Sequence, residues 1–297
     1  MIYTITTNPS LDYYLSFRGS LKGGENNRSD FELYDAGGKG VNVSIFLNSM
    51  NIQSTALGFL GGFTADFYLE HLKKYPRIQP MFTGIRDNTR INIKIMSDDE
   101  YSLNAKGPHV TDEEFARFFK RIAKIYDDDS LVLSGNVQEE LRDKMCNLVH
   151  ELSDEGTRII LDTDLEIYHK CTGKRIFLIK LNDSNAGTNE ADIISTGRYM
   201  CQNNTRYVMY SSPVHDYYYL ISKDEVLKSK KPEGYSATTG SGDATIAGFL
   251  YATMRGANKD EAFKYAISFS ENLKLCADPA DKDLIDSYAD NIVLEKI

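Results

Sequence analysis

The sequence has 297 residues, a length that suits one large core with at most one appendage. It carries 43 acidic and 34 basic residues, and the resulting net charge of −9 repels nucleic-acid phosphates and anionic lipids. We therefore expect neither nucleic acid nor a membrane as a partner. The first residues lack a basic start followed by a long apolar run, which predicts a cytoplasmic protein.

In chain order, the first unusual features are two segments of alternating apolar and polar residues, at approximately 11–35 and 81–106. The run 90–95 (RINIKI) shows the period of two that is typical of a half-buried strand. These segments interrupt the remaining pattern at separate points. We predict that they meet as one small sheet, which acts as a lid over the edge of a larger one.

The middle of the chain alternates between helix and strand. An amphipathic run from Thr111 through Tyr126 predicts a helix. Short apolar strands are predicted at 130–134, 158–162, 176–180 and 207–210. Such alternation indicates a parallel sheet with helices on both faces. Three further helices are predicted in the last third, over 242–254, 259–276 and 281–291.

The clearest local feature is the segment 238–244 (TTGSGDA), where small residues lead into a helical pattern. Glycines allow consecutive backbone N–H groups to converge, and a helix N-terminus adds positive potential at that point. Such a turn can hold phosphoryl oxygens, while Asp243 could accept the proton of an attacking hydroxyl. The alternative is structural, since Asp also favours helix N-termini and glycines also form turns.

A second glycine turn, 35–43 (DAGGKGVNV), also opens a helix. Its spacing differs from the G-x-x-x-x-G-K-[ST] pattern of a P-loop. Taken alone, it indicates a tight connection between a strand and a helix.

In this order, the two glycine motifs resemble the two signatures of the PfkB branch of the ribokinase family. The segments 8–12 (NPSLD), 89–94 (TRINIK) and 178–182 (LIKLN) are similar to parts of 1-phosphofructokinases and tagatose-6-phosphate kinases. The resemblance extends from Met1 to about Cys276. It implies a ribokinase-like three-layer α/β/α sandwich, with a mainly parallel central sheet and a small β-sheet lid, as a single domain over residues 1–297.

The resemblance also implies an activity. The protein would transfer the γ-phosphoryl group of ATP to a phosphorylated ketohexose, either fructose 1-phosphate or tagatose 6-phosphate, with Mg²⁺ as cofactor. It would be a homodimer through the lid, which agrees with the tendency of exposed strands to pair or to be covered.

Roles for individual residues follow from the resemblance. The turn of Gly240, Ser241 and Gly242 would hold the migrating phosphoryl group beside the base, Asp243. The sugar phosphate would be bound by Asp12, Gly37, Gly38, Lys39, Asn42 and Arg90. The nucleotide would be bound by Lys180, Asn182, Ser211 and Thr239, and Asn182 would also help to hold magnesium through water.

Two of these assignments have structural alternatives. Arg90 suits the phosphate already on the sugar, because its planar fork can donate two parallel hydrogen bonds. The alternative for Arg90 is a charged residue on the exposed face of a strand. Lys39 could be a solvated turn residue.

Departures from the family pattern fall mainly on the nucleotide side. Asn185 takes the place of the Glu in the family's N-x-x-E motif, so one anionic oxygen ligand for magnesium is missing. The segment 135–138 (GNVQ) replaces G-S-L-P, and 211–216 (SSPVHD) replaces S-x-G-x-x-G. Pro213 and Val214 would obstruct a close approach of the backbone to a nucleotide.

The sequence therefore favours an active or weakly active kinase, and it leaves an alternative open. The alternative is a catalytically weak or inactive protein that binds or senses a sugar phosphate. A kinase for another substrate, namely a nucleoside or ribose kinase of the same superfamily, fits poorly with Arg90 placed to bind a substrate phosphate. The sequence does not choose between the two hexose phosphates or between nucleotide donors.

Overall fold

A computed structural model describes residues 1–122, 125, 128–276 and 278–297. The strands are β1 (Ile2–Thr6), β2 (Ser10–Ser16), β3 (Phe31–Gly37), β4 (Ser54–Gly61), β5 (Ile78–Pro80), β6 (Thr83–Ile85), β7 (Arg90–Met96), β8 (Glu100–Leu103), β9 (Ser130–Ser134), β10 (Arg158–Asp162), β11 (Ile176–Leu181), β12 (Thr205–Tyr210), β13 (Tyr217–Ile221), β14 (Val226–Lys230) and β15 (Glu295–Lys296).

The helices are α1 (Lys39–Ser49), α2 (Gly62–Leu72), α3 (Asp112–Ile122), α4 (Arg142–Asp154), α5 (Leu165–Lys170), α6 (Asp183–Ala186), α7 (Glu190–Gln202), α8 (Ser241–Met254), α9 (Lys259–Asn272) and α10 (Lys282–Asn291), with a 3₁₀ turn at Glu139–Leu141. None of the helices in the described part of the chain is long and apolar enough to cross a membrane.

The large sheet has the strand order β15-β14-β13-β12-β11-β10-β9-β1-β4-β5, and β6 also pairs with β4. The pairs from β12 to β5 and β6 are parallel, because helices carry the chain back between successive strands. The strands β13, β14 and β15 add an antiparallel edge, which was not predicted. The prediction of a mainly parallel central sheet is confirmed.

Apolar side chains of the central strands alternate between two cores, one on each face of the sheet. In β9, Leu131 and Leu133 belong to the core that contains residues of α3, α4, α5 and α7. Val132, between them, belongs to the core formed with α1, α8, α9 and α10. This alternation follows from the period of two in a strand, and it confirms the predicted three-layer α/β/α sandwich.

A separate sheet has the order β3-β2-β7-β8. Its central strand β2 is antiparallel to β3 and parallel to β7, so two segments distant in sequence meet. In this register Asp12 lies opposite Asn92 on one face, while Tyr13 lies between Tyr34 and Ile93 on the other face. The small sheet therefore has one polar and one mainly apolar face.

Several predicted boundaries differ from the structure. The expectation that the second segment of the small sheet begins near residue 81 is wrong, because β6 pairs with β4 in the large sheet and the small sheet resumes at Arg90. A period of two indicates half-burial, and it does not reveal which sheet a strand joins. The helix predicted through Tyr126 is described as far as Ile122, and Tyr126 lies outside the described residues. The helix predicted to Cys276 ends at Asn272.

Candidate active site

The candidate site lies at the carboxyl ends of the parallel strands, where the N-termini of α1 and α8 also meet them. The helix α8 begins at Ser241, and Gly240 before it has a left-handed φ of 85°, a conformation that glycine adopts without steric cost. The N–H of Ser241 donates a hydrogen bond to the carbonyl oxygen of Thr238, at 3.0 Å. The N–H groups of Gly242 and Asp243 belong to the first helical turn, where the helix supplies no acceptor for them.

Asp243 is a buried carboxylate in this first turn, with 5% of its surface exposed. Its Oδ2 accepts a hydrogen bond from Asn42 Nδ2 of α1 at 2.8 Å. Burial, and then repulsion by the carboxylate of Asp162, raise the pKa of Asp243 to about 7. A carboxylate that titrates near neutral pH has the properties of a general base.

Asp162, at the end of β10, was not identified from the sequence. It is fully buried and accepts hydrogen bonds from Ser134 Oγ at 3.0 Å and from Lys39 Nζ at 3.3 Å. Burial alone would raise the pKa of Asp162, but the ammonium groups of Lys180 and Lys39 outweigh it and hold this pKa below its usual value. An acidic residue directly after a buried strand of a parallel sheet was the signal that could have identified it.

Two lysines lie beside these carboxylates. Lys39, predicted to hold a sugar hydroxyl, forms an ion pair with Asp162 in this structure. Lys180 is buried at the end of β11, and its Nζ approaches α8 so closely that a Cβ added at Gly242 would be 2.9 Å from it. Gly242 therefore makes room for a cation at the start of α8.

The polar face of the small sheet lies near the start of α1, which follows directly after β3. Asp12 Oδ1 accepts hydrogen bonds from Ser10 Oγ at 2.7 Å and from Asn92 Nδ2 at 3.0 Å. A Cβ added at Gly37 would be 2.5 Å from Asp12 Oδ2, so a side chain there would collide with this carboxylate. Gly38 has a φ of 132°, which favours glycine. Asn92 was not predicted as a site residue, although it lies in the segment 89–94 that carries part of the family resemblance.

Arg90 begins β7 and is half-buried. Its Nη1 donates to the carbonyl of Ala105 at 3.0 Å, and its Nη2 donates to the carbonyl of Asn8 at 3.1 Å. Its Nε is buried and has no hydrogen-bond partner among the residues that the structure describes. A buried donor without a partner is costly, and an anionic ligand would satisfy it.

A cavity of about 290 Å³ lies between the ends of β11 and β12 and the start of α8. Its lining includes five of the predicted site residues, namely Lys180, Asn182, Ser211, Ser241 and Gly242. Pro213 also lines it, at the position where the family pattern has a glycine. Thr239 is exposed on the turn before α8, and the structure does not place it with this group.

The same cavity contains oxygen atoms that could serve a metal ion. Asp183, which follows Asn182, lines the cavity, and its Oδ1 accepts a hydrogen bond from Ser212 Oγ at 2.9 Å. A carboxylate and an amide oxygen are the kinds of ligand that Mg²⁺ prefers. No group of three or more His, Cys, Asp or Glu side chains suited to a metal occurs among the described residues, so this donor set fits an ion that keeps most of its waters.

The fold and the site together have the features of a phosphotransferase with an alcohol group as acceptor, because a buried carboxylate lies beside a helix N-terminus suited to an anion, at the carboxyl edge of a parallel sheet. The chain belongs to the pfkB family of carbohydrate kinases, whose model matches residues 11–271. The resemblance seen in the sequence is thereby confirmed.

Two curated relatives are similar over most of their length. A 1-phosphofructokinase from Bacillus subtilis is 31% identical over 288 residues, which cover 92% of this chain and 94% of that protein. A D-tagatose-1-phosphate kinase from Bacillus licheniformis is 29% identical over 276 residues, which cover 90% of each.

Among solved structures, phosphofructokinase-2 from Escherichia coli in complex with substrates and products superposes with a TM-score of 0.86, covering 97% of this chain and 98% of that chain. Its identity of 19% shows a shared fold.

Proposed function

We propose that this protein transfers the γ-phosphoryl group of ATP to a ketohexose 1-phosphate, with fructose 1-phosphate as the preferred acceptor. The observation that carries the proposal is the buried Asp243, with a pKa of about 7, in the first turn of α8. The names of the two curated relatives support an acceptor phosphorylated at carbon 1. Tagatose 6-phosphate stays a prediction to be tested beside it.

In the proposed reaction, the free hydroxyl of the sugar phosphate gives its proton to Asp243 as its oxygen forms a bond to the γ-phosphorus. The bond between the γ-phosphorus and the bridging oxygen breaks, and ADP leaves. The N–H groups of Gly242 and Asp243, with the ammonium of Lys180, would stabilise the charge on the transferring group. Asn42 orients the base through its hydrogen bond to Oδ2.

The acceptor would lie along the polar face of the small sheet. Asp12 and Asn92 would bind its hydroxyls, and Gly37 and Gly38 would allow the sugar to approach the backbone. Arg90 would bind the phosphate already present, since its Nε has no partner among the described residues.

Magnesium fits the donor set of Asn182 and Asp183, which would hold it largely through water. When bound, it would neutralise and orient the phosphates of the nucleotide. Asp183 would supply the negative charge that is lost where Asn185 replaces the family's glutamate.

A second candidate is a protein that binds a sugar phosphate and transfers nothing. Asn185 and Pro213 favour this candidate, because both changes fall on the nucleotide side. The acceptor residues and Asp243 are retained, and we therefore rank the kinase first.

We also propose a homodimer through the apolar face of the small sheet. Tyr13 and Tyr34 stack on this face with ring centroids 4.1 Å apart. Leu103 and Tyr101 on the same face are 53% and 43% exposed. A mainly apolar, exposed sheet face next to a polar substrate wall is suited to pairing with its own copy.

The proposal is tested by assaying fructose 1-phosphate, tagatose 1-phosphate, tagatose 6-phosphate and fructose 6-phosphate with ATP or GTP and magnesium. We expect the highest kcat/KM with fructose 1-phosphate and ATP. Asp243→Asn should lower kcat by roughly 10²- to 10⁴-fold, as loss of a general base does, with sugar-phosphate affinity nearly unchanged by calorimetry. The matched control is Asp192→Asn, an exposed carboxylate in the first turn of α7.

Two outcomes would contradict the proposal. Turnover near the wild-type rate in Asp243→Asn would mean that the base is misassigned. A wild-type protein that binds sugar phosphate but neither binds nor uses a nucleotide would favour the sensor.

A further inference from the structure

The proposed base has two cationic neighbours, and neither is described in an ion pair with it. Lys39 Nζ lies 3.3 Å from Asp162 Oδ2, which is its one ion pair among the described residues. Asp243 instead receives a neutral hydrogen bond from Asn42. Lys39 is therefore paired with Asp162, and Asp243, which would accept the proton, has a neutral partner.

The two contacts originate in one turn of α1. Lys39 and Asn42 are three residues apart in this helix and hence lie on the same side of it. Lys39 reaches Asp162 from this turn, and Asn42 reaches Asp243. If Lys39 lost Asp162, its ammonium could turn toward Asp243 beside the amide of Asn42.

Asp162 is itself held firmly. It ends β10, a central strand that pairs with β9 on one side and with β11 on the other. Ser134 Oγ, from β9, donates to its Oδ2 at 3.0 Å. A fully buried carboxylate with charged and polar partners on adjacent rigid strands has little freedom to move.

We propose that Asp162 is a positioning residue for phosphoryl transfer, which retains Lys39 and faces Lys180 so that neither ammonium neutralises Asp243. The site would then contain one carboxylate that stays charged and one that is free to accept a proton. This inference rests on the proposed function for its catalytic meaning and assigns a role to a residue outside the family motifs quoted above.

The charged groups around Asp243 shift its pKa in opposite directions. Asp243 is faced by Lys39 and Asn42 from α1, by Asp162 from β10 and by Lys180 from β11. The Asp162 carboxylate raises the pKa of Asp243, whereas Lys39 and Lys180 lower it. Removing the charge of Asp162 should therefore lower the pKa of Asp243, and release of Lys39 acts in the same direction.

Asp164, which follows β10, is a further charged group near Lys39. It acts on Lys39 and raises the pKa of that ammonium together with Asp162 and Asp243. It is left unchanged in the variants below, so its influence is common to all of them.

The test is a titration of the Asp243 carboxyl in the full chain by carbon-13 NMR, with its signal assigned by its loss in Asp243→Asn. In Asp162→Asn we expect the titration midpoint of Asp243 to fall by about one pH unit or more, a change that corresponds to about 1.4 kcal/mol. The acidic limb of kcat/KM should move to lower pH with it, and kcat should fall because the base is weaker.

Two further variants separate the role from mere stability. Asp162→Asn combined with Lys39→Met should move the midpoint back toward the wild-type value, because the released ammonium is gone. Glu114→Gln alters another buried carboxylate, 6% exposed, which accepts from the N–H groups of Arg86 and Thr111 away from the site. It should lower stability without moving the titration of Asp243.

An unchanged midpoint in Asp162→Asn would overturn the inference, as would a shift that the added Lys39→Met does not reverse. If Asp162→Asn does not fold, Lys39→Met alone is measured instead. Because Asp162 retains Lys39, the Asp243 midpoint should then rise only slightly, and a rise of about one pH unit or more would mean that Lys39 neutralises Asp243 in the wild type and would overturn the inference. If the variants show the expected shifts in the Asp243 midpoint but the wild-type protein shows no turnover, the proposed function is overturned and the charge arrangement is supported.

Discussion

At the scale of single residues, two buried carboxylates lie side by side and have opposite pKa shifts. The pKa of Asp162 is lowered, since Lys180, Lys39 and Ser134 outweigh its burial. The pKa of Asp243 is raised to about 7, since burial and Asp162 outweigh its weaker partners. Neighbouring carboxyl groups with separated pKa values indicate which one stays charged and which one transfers protons.

The raised pKa of Asp243 predicts a pH-dependent effect on stability. The folded state binds this proton more tightly than the unfolded chain, so the contribution is complete below about pH 4 and is lost as pH rises through about 7. Asp243→Asn should therefore be more stable than the wild type at pH 8, by about 2–4 kcal/mol, and the difference should shrink toward pH 5.

Urea unfolding at pH 5 and pH 8 measures this difference. The control Asp192→Asn should show no such pH dependence, because its carboxylate is exposed. A stability difference for Asp243→Asn that is equal at both pH values would show that Asp243 is not titrating between them.

Arg90 carries a second prediction at this scale. Arg90→Ala should raise KM for the phosphorylated sugar by an amount on the order of 2 kcal/mol, because a charge-assisted contact is lost. Arg90→Lys should have an intermediate effect, since it keeps the charge but not the planar fork. Steady-state kinetics over a range of sugar-phosphate concentrations checks both.

The matched control is Arg117→Ala, which also removes a guanidinium bonded to a backbone carbonyl, that of Gly84, but outside the site. Its KM should equal that of the wild type. An unchanged KM in Arg90→Ala would place the phosphate site elsewhere.

At the scale of elements, α8 determines the geometry of the site because it is buried on nearly all sides. It packs against α1 and α9, and Gly248 allows the close approach to α9. A Cβ added at Gly248 would be 2.3 Å from the carbonyl oxygen of Tyr265. Since that atom belongs to the backbone of a helix, only a movement of α8 or α9 could relieve the collision.

Gly248→Ala should consequently lower the free energy of unfolding by about 1–3 kcal/mol, the usual cost of overpacking a core. It should also lower kcat, because a shift of α8 moves Asp243 relative to Asn42. Urea unfolding and steady-state kinetics measure the two effects. The control Gly84→Ala adds the same methyl group where no atom lies within 4 Å, and both quantities should stay at wild-type values. Full stability in Gly248→Ala would contradict the packing argument.

At the scale of the whole molecule, the small sheet has different surroundings on its two faces. Its polar face carries Asp12 and Asn92, which form the proposed substrate wall. Its opposite face is mainly apolar and partly exposed, with Tyr13, Ile93 and Leu103 in register. Dimerisation through this face would cover apolar surface and brace the substrate wall at the same time.

Leu103→Glu should dissociate the proposed dimer, because it places a charge on the apolar face that would form the contact. Sedimentation velocity should show a dimer for the wild type and a monomer for the variant, with a raised KM for sugar phosphate. The control Val293→Glu changes a 75% exposed apolar residue near the end of the chain and should stay dimeric. A monomeric wild type, or a dimeric Leu103→Glu, would contradict the proposed interface.

Much of this architecture follows from patterns within short stretches of sequence. Alternating helices and apolar strands were enough to predict the parallel sheet, and the glycine turns at 35–43 and 238–244 were enough to locate two helix starts near the site. Such patterns are informative because hydrogen bonding within a helix and the alternation of a strand act over a few residues.

The placement of charges beside the base required the folded chain. Lys39 and Asp162 are 123 residues apart in sequence, and Asn42 and Asp243 are 201 residues apart. The sheet to which β6 belongs and the position of Thr239 outside the cavity group likewise depend on distant partners. Contacts of this kind depend on the spatial order of the strands in the sheet. Burial and these distant neighbours then shift the pKa of each carboxylate, and no local sequence pattern contains them.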